Sequence, residues 1–315
     1  MNKILLLLYK ASAAHLSKLK VIAPDWEILH TIEKKEAIHL IKEAEVVMGN
    51  HFLSESLPYN NKTIKWIQTN STGIDFIIKQ CGSLLQNITL TNAKGVYDEE
   101  MSEHTIALLL SLNRNLHHIR DAQHNQSWER QTQLQLLKNK TVLIVGYGSL
   151  GNCISKKLTA FGCTIYGITS SVQHVHINNK MVHWKDILSD IDILIACLPY
   201  TKSTNNYIGE NELKKLPSSA LVINVGRSET LDEKALYDLL KNKLLRGAAL
   251  DVFTEEPLAP NHTAWNISNL IVSPHTSRSK EIEPPFQFET LFEENFKRYI
   301  NGLPLINIVD VNKGY

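Results

Sequence analysis

Paired cysteines, a strong charge of one sign and long apolar runs are all missing from this sequence. Lysine and arginine balance aspartate and glutamate to a formal charge of +1, which gives no electrostatic basis for binding nucleic acid or a membrane surface. Only four of the 315 residues are cysteine and none forms a CxxC pair, so we expect reduced, mostly buried thiols at Cys81, Cys153, Cys163 and Cys197. These features favour a cytoplasmic protein.

No apolar stretch is long enough to span a membrane. The apolar run at residues 4–9 is too short for the core of a usual signal peptide and is closed by Lys10, so it predicts a buried first strand. The histidines are dispersed and form no helical HxxxH pair or Cys/His cluster, so no metal site is predicted. The length and an apolar fraction of 43% predict two globular domains.

A glycine-rich segment at residues 146–151 organises the rest of the chain. It follows an apolar, β-branched run at residues 141–145 and precedes apolar residues at helical spacing. A strand–turn–helix unit with this pattern is typical of dinucleotide binding, with the pyrophosphate on the helix N-terminus. Gly146 permits the tight turn, Gly148 the approach of the phosphates, and Gly151 close packing of helix and strand. The alternative is a glycine-rich turn in an α/β domain without a cofactor.

Strands and helices alternate on both sides of this turn, which indicates parallel sheets with helices on their faces. Before the turn we predict a helix over residues 38–44 and strands over residues 3–9, 26–29, 45–49, 64–68 and 88–91. A long helix opens at residues 97–100, and its body, 106–119, should be mostly buried in a domain junction or a subunit contact. Residues 124–135, which include Trp128, are typical of an exposed connector or an interface arm.

The second half predicts a six-stranded doubly wound sheet, with strands over residues 141–145, 164–169, 193–199, 220–225, 248–252 and 270–273. A helix is expected over residues 233–240. Pro284 and Pro285 mark a break, after which a helix over residues 286–300 and the tail return to the first domain. We therefore predict a dinucleotide-binding domain at residues 98–283, inserted into a substrate domain of residues 1–97 and 284–315.

Three polar residues follow predicted strand ends in the second half, where doubly wound sheets bind their ligands: Arg227, Glu256 and His275. His275 can deliver a proton near neutral pH to a carbonyl that gains a hydride. Glu256 beside it would favour the imidazolium, and Arg227 can bind a carboxylate and polarise a 2-oxo group. Taken alone, Arg227 is equally typical of a surface residue and His275 of a strand cap, and Glu256 beside Glu255 is more typical of a solvated position. Together they suit the reduction of a 2-oxo acid by a nicotinamide cofactor.

The choice of cofactor depends on the end of the second strand of this half, at Thr169, Ser170 and Ser171. NAD-specific proteins place a carboxylate there for the ribose 2′-hydroxyl. Without that charge, the three hydroxyls favour NADP over NAD, although no arginine is present and only Lys180 or His174 could replace it. Near the start of the long helix, Glu103 and His104 are either functional or part of a solvated first turn.

These motifs, in this order, resemble the D-isomer-specific 2-hydroxyacid dehydrogenases over nearly the whole length. Besides the glycine turn, the resemblance rests on residues 198–201 with Thr204, 223–227, 250–253 with 256–258, and 273–275. The end of the chain, residues 302–315, is similar to the glyoxylate/hydroxypyruvate reductase branch. The resemblance implies a Rossmann cofactor domain inserted into a flavodoxin-like substrate domain, and a homodimer.

The resemblance also implies roles for individual residues. Arg227 would bind the substrate and polarise its carbonyl, His275 would be the acid/base, and Glu256 would assist it. The loop at Ser71, Thr72 and Gly73 would hold the substrate carboxylate with backbone N–H groups. The cofactor would contact Gly146, Gly148, Ser149, Leu150, Gly151, Thr169, Ser170, Ser171, Leu198, Pro199, Thr204, Val225, Gly226 and Asp251.

Two departures from the family pattern bear on substrate choice. Ser228 stands where a glycine usually follows the arginine, and Ser277 and Arg278 follow His275 where small residues are common. The expected function is the NAD(P)H-dependent reduction of a small 2-oxo acid, such as glyoxylate or hydroxypyruvate, to the D-2-hydroxy acid. Alternatives are a cofactor-sensing binding protein of the corepressor kind, or an oxidising D-2-hydroxyacid dehydrogenase. Residues 50–53 should face the substrate side chain, so the substrate and the direction of reaction stay open.

Overall fold

The computed structural model describes residues 3–57, 62–130, 134–177, 180–278 and 286–314, and it divides into two compact units. The first unit comprises Met1–Tyr97 and Lys280–Tyr315, and the second comprises Asp98–Ser279. Each unit combines a parallel sheet with helices, which confirms the predicted α/β fold of two parallel-sheet domains. The expected boundary at residues 283 and 284, with its two prolines, lies outside the described residues.

The sheet of the first unit has five parallel strands: β1 (Lys3–Leu7), β2 (Trp26–His30), β3 (Val46–Met48), β4 (Trp66–Gln68) and β5 (Thr89–Thr91). Their order, β2-β1-β3-β4-β5, is the flavodoxin-like one. Strand β1 lies between β2 and β3, with Leu5 in register with Ile28 and Val46, so its leucines are buried on both faces. The ladder ends at Leu7, two residues earlier than predicted.

Four helices of the first unit alternate with these strands: α1 (Ala13–Ile22), α2 (Lys34–Leu40), α3 (Leu53–Ser56) and α4 (Asp75–Cys81). The predicted bounds of the second helix, residues 38–44, were wrong. Helix α2 starts at Lys34, directly after a turn in which the Thr31 hydroxyl accepts a hydrogen bond from Glu33 N at 3.0 Å. Its first turn is exposed and polar, and the first buried residue is Ala37, so hydrophobic spacing does not reveal where it begins.

The described residues of the second unit form eight strands: β6 (Thr141–Val145), β7 (Thr164–Ile168), β8 (His174–Ile177), β9 (Lys180–His183), β10 (Ile193–Ala196), β11 (Leu221–Asn224), β12 (Gly247–Leu250) and β13 (Leu270–Val272). Six of them form a parallel sheet in the order β13-β12-β11-β10-β6-β7, which confirms the six-stranded prediction. Strands β8 and β9 form a separate antiparallel pair. The helices of this unit are α5 (Asp98–Asn113), α6 (Leu116–His124), α7 (Ser149–Ala160), α8 (Glu210–Leu213) and α9 (Glu233–Lys241).

The long helix predicted through residue 119 is in fact two helices. Helix α5 ends at Asn113, and Asn115 then adopts a left-handed backbone with φ 52° before α6 begins. Asparagine tolerates this conformation better than most residues, so the chain can turn here. Leu109 on α5 is fully buried, whereas Leu116 and Ile119 on α6 are 48% and 43% exposed. The expectation of a mostly buried body therefore holds for α5 and fails for α6.

The final helix, α10 (Phe286–Ile300), belongs to the first unit and has the predicted bounds. Three phenylalanines at helical spacing, Phe288, Phe292 and Phe296, are fully buried. Phe292 stacks on Trp66 of β4 with ring centroids 5.3 Å apart, so aromatic packing joins the last helix to the sheet.

Two further expectations concern the solvent exposure of Trp128 and of the cysteines. Trp128, in the segment after α6, is 95% exposed, as an exposed connector or interface arm requires. The four cysteines are free; Cys81 is buried, and Cys153, Cys163 and Cys197 are partly buried. In the described ranges, no helix combines the length and the apolar character needed to cross a membrane.

Candidate active site

The glycine turn joins β6 to α7, as predicted. Gly146 has φ 100°, and a Cβ added there would lie 2.7 Å from the Cys197 carbonyl. A Cβ added to Gly151 would lie 2.7 Å from the Gly146 carbonyl oxygen, so helix and turn are already in contact. Gly148 differs, because a Cβ there would meet no atom within 4 Å. The protein's own packing does not require a glycine at position 148, and the space beside it is open to a ligand.

The first turn of α7 carries backbone donors that bond to no acceptor among the described residues. Asn152 N bonds to Gly148 O at 3.0 Å, but the N–H groups of Ser149, Leu150 and Gly151 make no hydrogen bond to a residue that the structure describes. The first turn has no acidic residue. Such N–H groups and the helix dipole favour a phosphate, so this end of α7 fits a dinucleotide. The Ser149 hydroxyl itself donates to Asp98.

Other predicted cofactor contacts gather at the carboxyl ends of β10 and β11, which are neighbours in the sheet. A Cβ added to Gly226 would lie 2.6 Å from the Leu198 carbonyl oxygen, so these two segments pack directly together. Val225 is buried beside them. The Thr204 hydroxyl donates to Pro199 O at 2.8 Å and fixes the turn after β10. Since β10 also pairs with β6, all these residues lie at the edge of the sheet that carries the glycine turn.

Thr169 comes directly after β7, beside the glycine turn. Gly146 N and Tyr147 N both donate to Ile168 O, at 3.0 and 2.7 Å. The Thr169 hydroxyl accepts from Val172 N at 3.1 Å and lies 3.1 Å from the Ser171 hydroxyl. Ser170 and Ser171 are exposed. Hydroxyls and no carboxylate therefore occupy this loop. Of the two predicted substitutes for an arginine, His174 packs on His183 across its strand pair, and the Lys180 side chain lies outside the described residues.

Glu256 and His275 form a hydrogen-bonded pair, with Nδ1 of the imidazole 2.7 Å from Oε2 of the carboxylate. The other carboxylate oxygen accepts from Phe253 N at 2.9 Å. Because a carboxylate only accepts, Nδ1 carries a proton, and Nε2 is the ring atom that can exchange a proton with a ligand. The two side chains are 36% and 41% exposed, so the pair is accessible.

Arg227 follows β11, and the loops carrying Glu256 and His275 follow β12 and β13, its successive neighbours. All three predicted catalytic residues therefore lie at the carboxyl edge of one sheet. Arg227 is half-buried, and its Nη1 donates to Gly226 O at 2.9 Å. Asn224 Nδ2 donates to Arg227 O at 3.1 Å, which holds the backbone of this turn. The edge combines a cation with an acid/base pair.

The side chain that anchors the loop bearing Glu256 was not predicted from the sequence. Glu233, the first residue of α9, accepts from Thr254 N at 2.6 Å and from the Thr254 hydroxyl at 2.9 Å. The Tyr237 hydroxyl donates to the other Glu233 oxygen at 3.1 Å, so this carboxylate has three donors. Glutamate in a first helical turn is common for electrostatic reasons alone, so no sequence signal distinguishes such an anchor.

Asp251, predicted only as a cofactor contact, has a fully buried side chain that bonds within the protein. It accepts from the Ser273 hydroxyl at 2.5 Å, from Thr276 N at 2.9 Å and from Ser277 N at 3.1 Å. Burial raises the pKa of this carboxyl, but the hydrogen bonds that it accepts and His104, whose Nε2 lies 3.5 Å away, outweigh burial and lower the pKa to about 2. Asp251 is therefore a buried anion that organises the loop after β13.

The predicted carboxylate-binding loop of the first unit follows β4. Ala93 N donates to Ser71 O at 3.0 Å, and Asn92 Nδ2 donates to Thr72 O at 3.0 Å, so both carbonyls have partners. The N–H groups of Thr72 and Gly73 bond to no residue in the described part of the chain. Asn50, from the loop expected near the substrate side chain, donates to the Ser71 hydroxyl at 2.8 Å. The loop thus offers backbone donors to an anion.

Among the described residues, no group of three His, Cys, Asp or Glu side chains is arranged to hold a metal ion.

Known proteins resemble this chain along most of its length. The model of the family described as "D-isomer specific 2-hydroxyacid dehydrogenase, NAD binding domain" matches residues 106–277. A glyoxylate reductase of Thermofilum pendens is 31% identical over 297 residues, which cover 88% of this chain and 84% of that protein. A glyoxylate/hydroxypyruvate reductase of Arabidopsis thaliana is 28% identical over 280 residues, covering 85% and 83%.

A solved structure shows the same likeness in three dimensions. A D-isomer specific 2-hydroxyacid dehydrogenase family protein from Aeromonas salmonicida superposes with a TM-score of 0.84 at 29% identity. The superposition covers 99% of this chain and 100% of the other.

Proposed function

Because this chain belongs to the D-isomer specific 2-hydroxyacid dehydrogenase family and is an NAD(P)-dependent oxidoreductase, we propose that it reduces a small 2-oxo acid to the D-2-hydroxy acid. The observation that carries the proposal is the 2.7 Å hydrogen bond between His275 and Glu256, at the sheet edge that also bears Arg227. The relatives named glyoxylate reductase and glyoxylate/hydroxypyruvate reductase support a substrate of two or three carbons.

In this proposal, each side chain has a distinct task. The nicotinamide, when bound, supplies the hydride. His275 holds at Nε2 the proton that the reduced carbonyl oxygen takes up, and Glu256 orients the ring through Nδ1 and stabilises its charged form. Arg227 binds the substrate carboxylate and polarises the 2-oxo group. The N–H groups of the loop at residues 71–73 add donors for the carboxylate.

The residues around the glycine turn and the end of β7 support a preference for NADP. The open space at Gly148 and the N–H groups at the start of α7 suit the pyrophosphate. Thr169, Ser170 and Ser171 would donate hydroxyl hydrogen bonds to a 2′-phosphate, and no carboxylate among them repels it.

We also propose that the chain acts as a homodimer in the cytoplasm. Apolar side chains are exposed on α6 and in the segment after it, where Leu116 is 48%, Trp128 95% and Leu136 67% exposed. These exposed apolar side chains are our candidates for the dimer interface, because contiguous apolar patches mark interaction surfaces. The four free thiols fit a reducing compartment. Sedimentation equilibrium of the purified protein would show twice the chain mass if the dimer forms, and the chain mass if it does not.

The test is a steady-state assay of the purified protein with glyoxylate, hydroxypyruvate, pyruvate and a bulkier 2-oxo acid, each with NADPH and with NADH. We expect preferential oxidation of NADPH with the small acids. Arg227→Ala and His275→Ala should each lower kcat/KM by about 10²-fold or more, because each removes an interaction of the transition state. Full activity in either variant, with the fold verified by circular dichroism, contradicts the proposed mechanism.

A further inference from the structure

We propose that His104 is a positioning residue for His275, acting through Ser273 and the buried Asp251 carboxylate. The inference rests on the proposed role of His275 and extends it to a side chain on another element. Helix α5 carries His104, while Asp251 and Ser273 directly follow β12 and β13. These three residues, called the network below, therefore connect helix α5 with the loops after β12 and β13, next to the turn that bears His275.

The turn that bears His275 has a backbone conformation that needs support. His275 has φ 50°, in the left-handed region that residues with a side chain rarely occupy. His275 N donates to Ser273 O at 2.9 Å, which tightens the turn on its N-terminal side. Such a conformation persists only where the surroundings over-determine it. Some contact on the C-terminal side must therefore hold the turn as well.

Asp251 supplies that contact. Its Oδ1 accepts from Thr276 N at 2.9 Å and its Oδ2 accepts from Ser277 N at 3.1 Å. These are the two peptide groups directly after His275, and both point at one carboxylate that is 0% exposed. The position of the Asp251 carboxylate thus sets the direction of the backbone at His275, and with it the position of the imidazole.

His104 fixes the carboxylate in turn. Its Nε2 lies 2.9 Å from the Ser273 hydroxyl oxygen and 3.5 Å from Asp251 Oδ1. The single hydroxyl hydrogen of Ser273 goes to Asp251 at 2.5 Å, so the Ser273 oxygen must accept from His104 Nε2–H. Without His104 the Ser273 oxygen loses its donor, and the Ser273 hydroxyl can then rotate away from Asp251, which leaves the buried carboxylate one donor short and free to move. Loss of His104 should therefore loosen the turn at His275 without removing any group that touches substrate.

The main comparison uses three variants in the full chain, and Ser273→Ala, alone and combined with His104→Leu, completes the set. His104→Leu removes the donor, while His104→Gln keeps an amide N–H that can donate to Ser273. The control is His117→Leu, which removes another partly buried histidine of the same unit, bonded to Ser111 O at 3.3 Å and absent from this network. Steady-state kinetics measure kcat and KM, and hydrogen exchange with mass spectrometry measures the amides of Thr276 and Ser277.

We expect His104→Leu to lower kcat by about tenfold or more, since small displacements of a reacting group are costly, and to leave KM within about twofold. The Thr276 and Ser277 amides should exchange faster in this variant. His104→Gln should recover most of kcat and of the protection, and His117→Leu should resemble the wild type in both. Ser273→Ala combined with His104→Leu should cost no more than the larger single loss, because the two residues act in one chain.

Three results would overturn the inference. The first is an unchanged kcat in His104→Leu. The second is a lower kcat with unchanged exchange at Thr276 and Ser277, and the third is an equal loss in His117→Leu, which would indicate general destabilisation. If the wild type turned over none of the 2-oxo acids, the proposed function would fail, but the exchange measurement would still decide whether His104 holds the turn.

Discussion

Replacing Glu256 by glutamine separates the role of this carboxylate in catalysis from its role in folding. Its Oε2 lies 2.7 Å from His275 Nδ1, but the two side chains are 36% and 41% exposed. Ion pairs with this exposure contribute about 1 kcal/mol or less to stability. Glutamine can still accept from Phe253 N through its amide oxygen, so the loop keeps its local hydrogen bond. We therefore expect Tm to fall by about 4 °C at most.

Activity should fall much further than stability. Glutamine carries no charge to stabilise the imidazolium, and its amide can donate to Nδ1, which disfavours a second proton on the ring. A positioned proton donor contributes about 10²- to 10⁴-fold, and for this half-exposed pair we expect a loss of about 10²-fold in kcat. That loss corresponds to about 2.7 kcal/mol of transition-state stabilisation. The assay follows oxidation of the reduced cofactor at saturating 2-oxo acid.

Glu255→Gln is the matched control, because it removes the same charge from the adjacent, exposed position. It should retain the wild-type kcat. If Glu256→Gln also stayed within about twofold of the wild type, the pair would not be the acid/base device, and the reasoning would be refuted. Equal losses in both variants would assign the effect to the charge of the loop rather than to the hydrogen bond with His275.

Three further outcomes follow from the site. Gly151→Ala places a Cβ 2.7 Å from a carbonyl oxygen and should lower the free energy of unfolding by about 1–3 kcal/mol, measured by thermal denaturation. Gly148→Ala should leave Tm unchanged and weaken cofactor binding in a fluorescence titration. Thr169→Asp should lower kcat/KM for NADPH relative to NADH in parallel assays, because a carboxylate repels the 2′-phosphate. The pKa of Asp251 lies at about 2, below its ordinary value, so its stabilisation of about 2 kcal/mol should be present above pH 4 and be lost as the pH falls towards 2. In Asp251→Asn the free energy of unfolding, measured by circular dichroism, should therefore change less with pH in that range than in the wild type.

The glycine turn and the final helix show what local sequence can predict. The turn needs a residue with φ near 100° at Gly146 and a close approach of the backbone to the Gly146 carbonyl at Gly151. Glycine alone satisfies both needs, so the pattern that predicts the turn lies within a few adjacent residues. Helix α10 has the predicted bounds because its buried phenylalanines recur at helical spacing. Periodicity failed where a helix begins with an exposed turn, as at Lys34, or where one asparagine interrupts an apolar run, as at Asn115.

The roles of Arg227 as substrate ligand, of the loop at residues 71–73 and of Thr169 towards a 2′-phosphate rest on residue type and position. The structure adds that Glu256 and His275 are hydrogen-bonded to each other, and that the N–H groups of Thr72 and Gly73 donate a hydrogen bond to no described residue. Ligand titrations of the variants above would turn these positions into measured roles.

Local sequence is enough to predict the α/β class, the six strands of the second sheet and the residue types at their ends, because each depends on apolar patterning and turn chemistry within a few neighbouring positions. Which side chains support those strand ends depends on tertiary packing. Glu233 lies 21 residues from Thr254 along the chain, and His104 lies 169 residues from Ser273. Hydrogen bonds over such separations depend on how strands and helices pack, and a polar residue that forms one looks in sequence like any solvated polar residue.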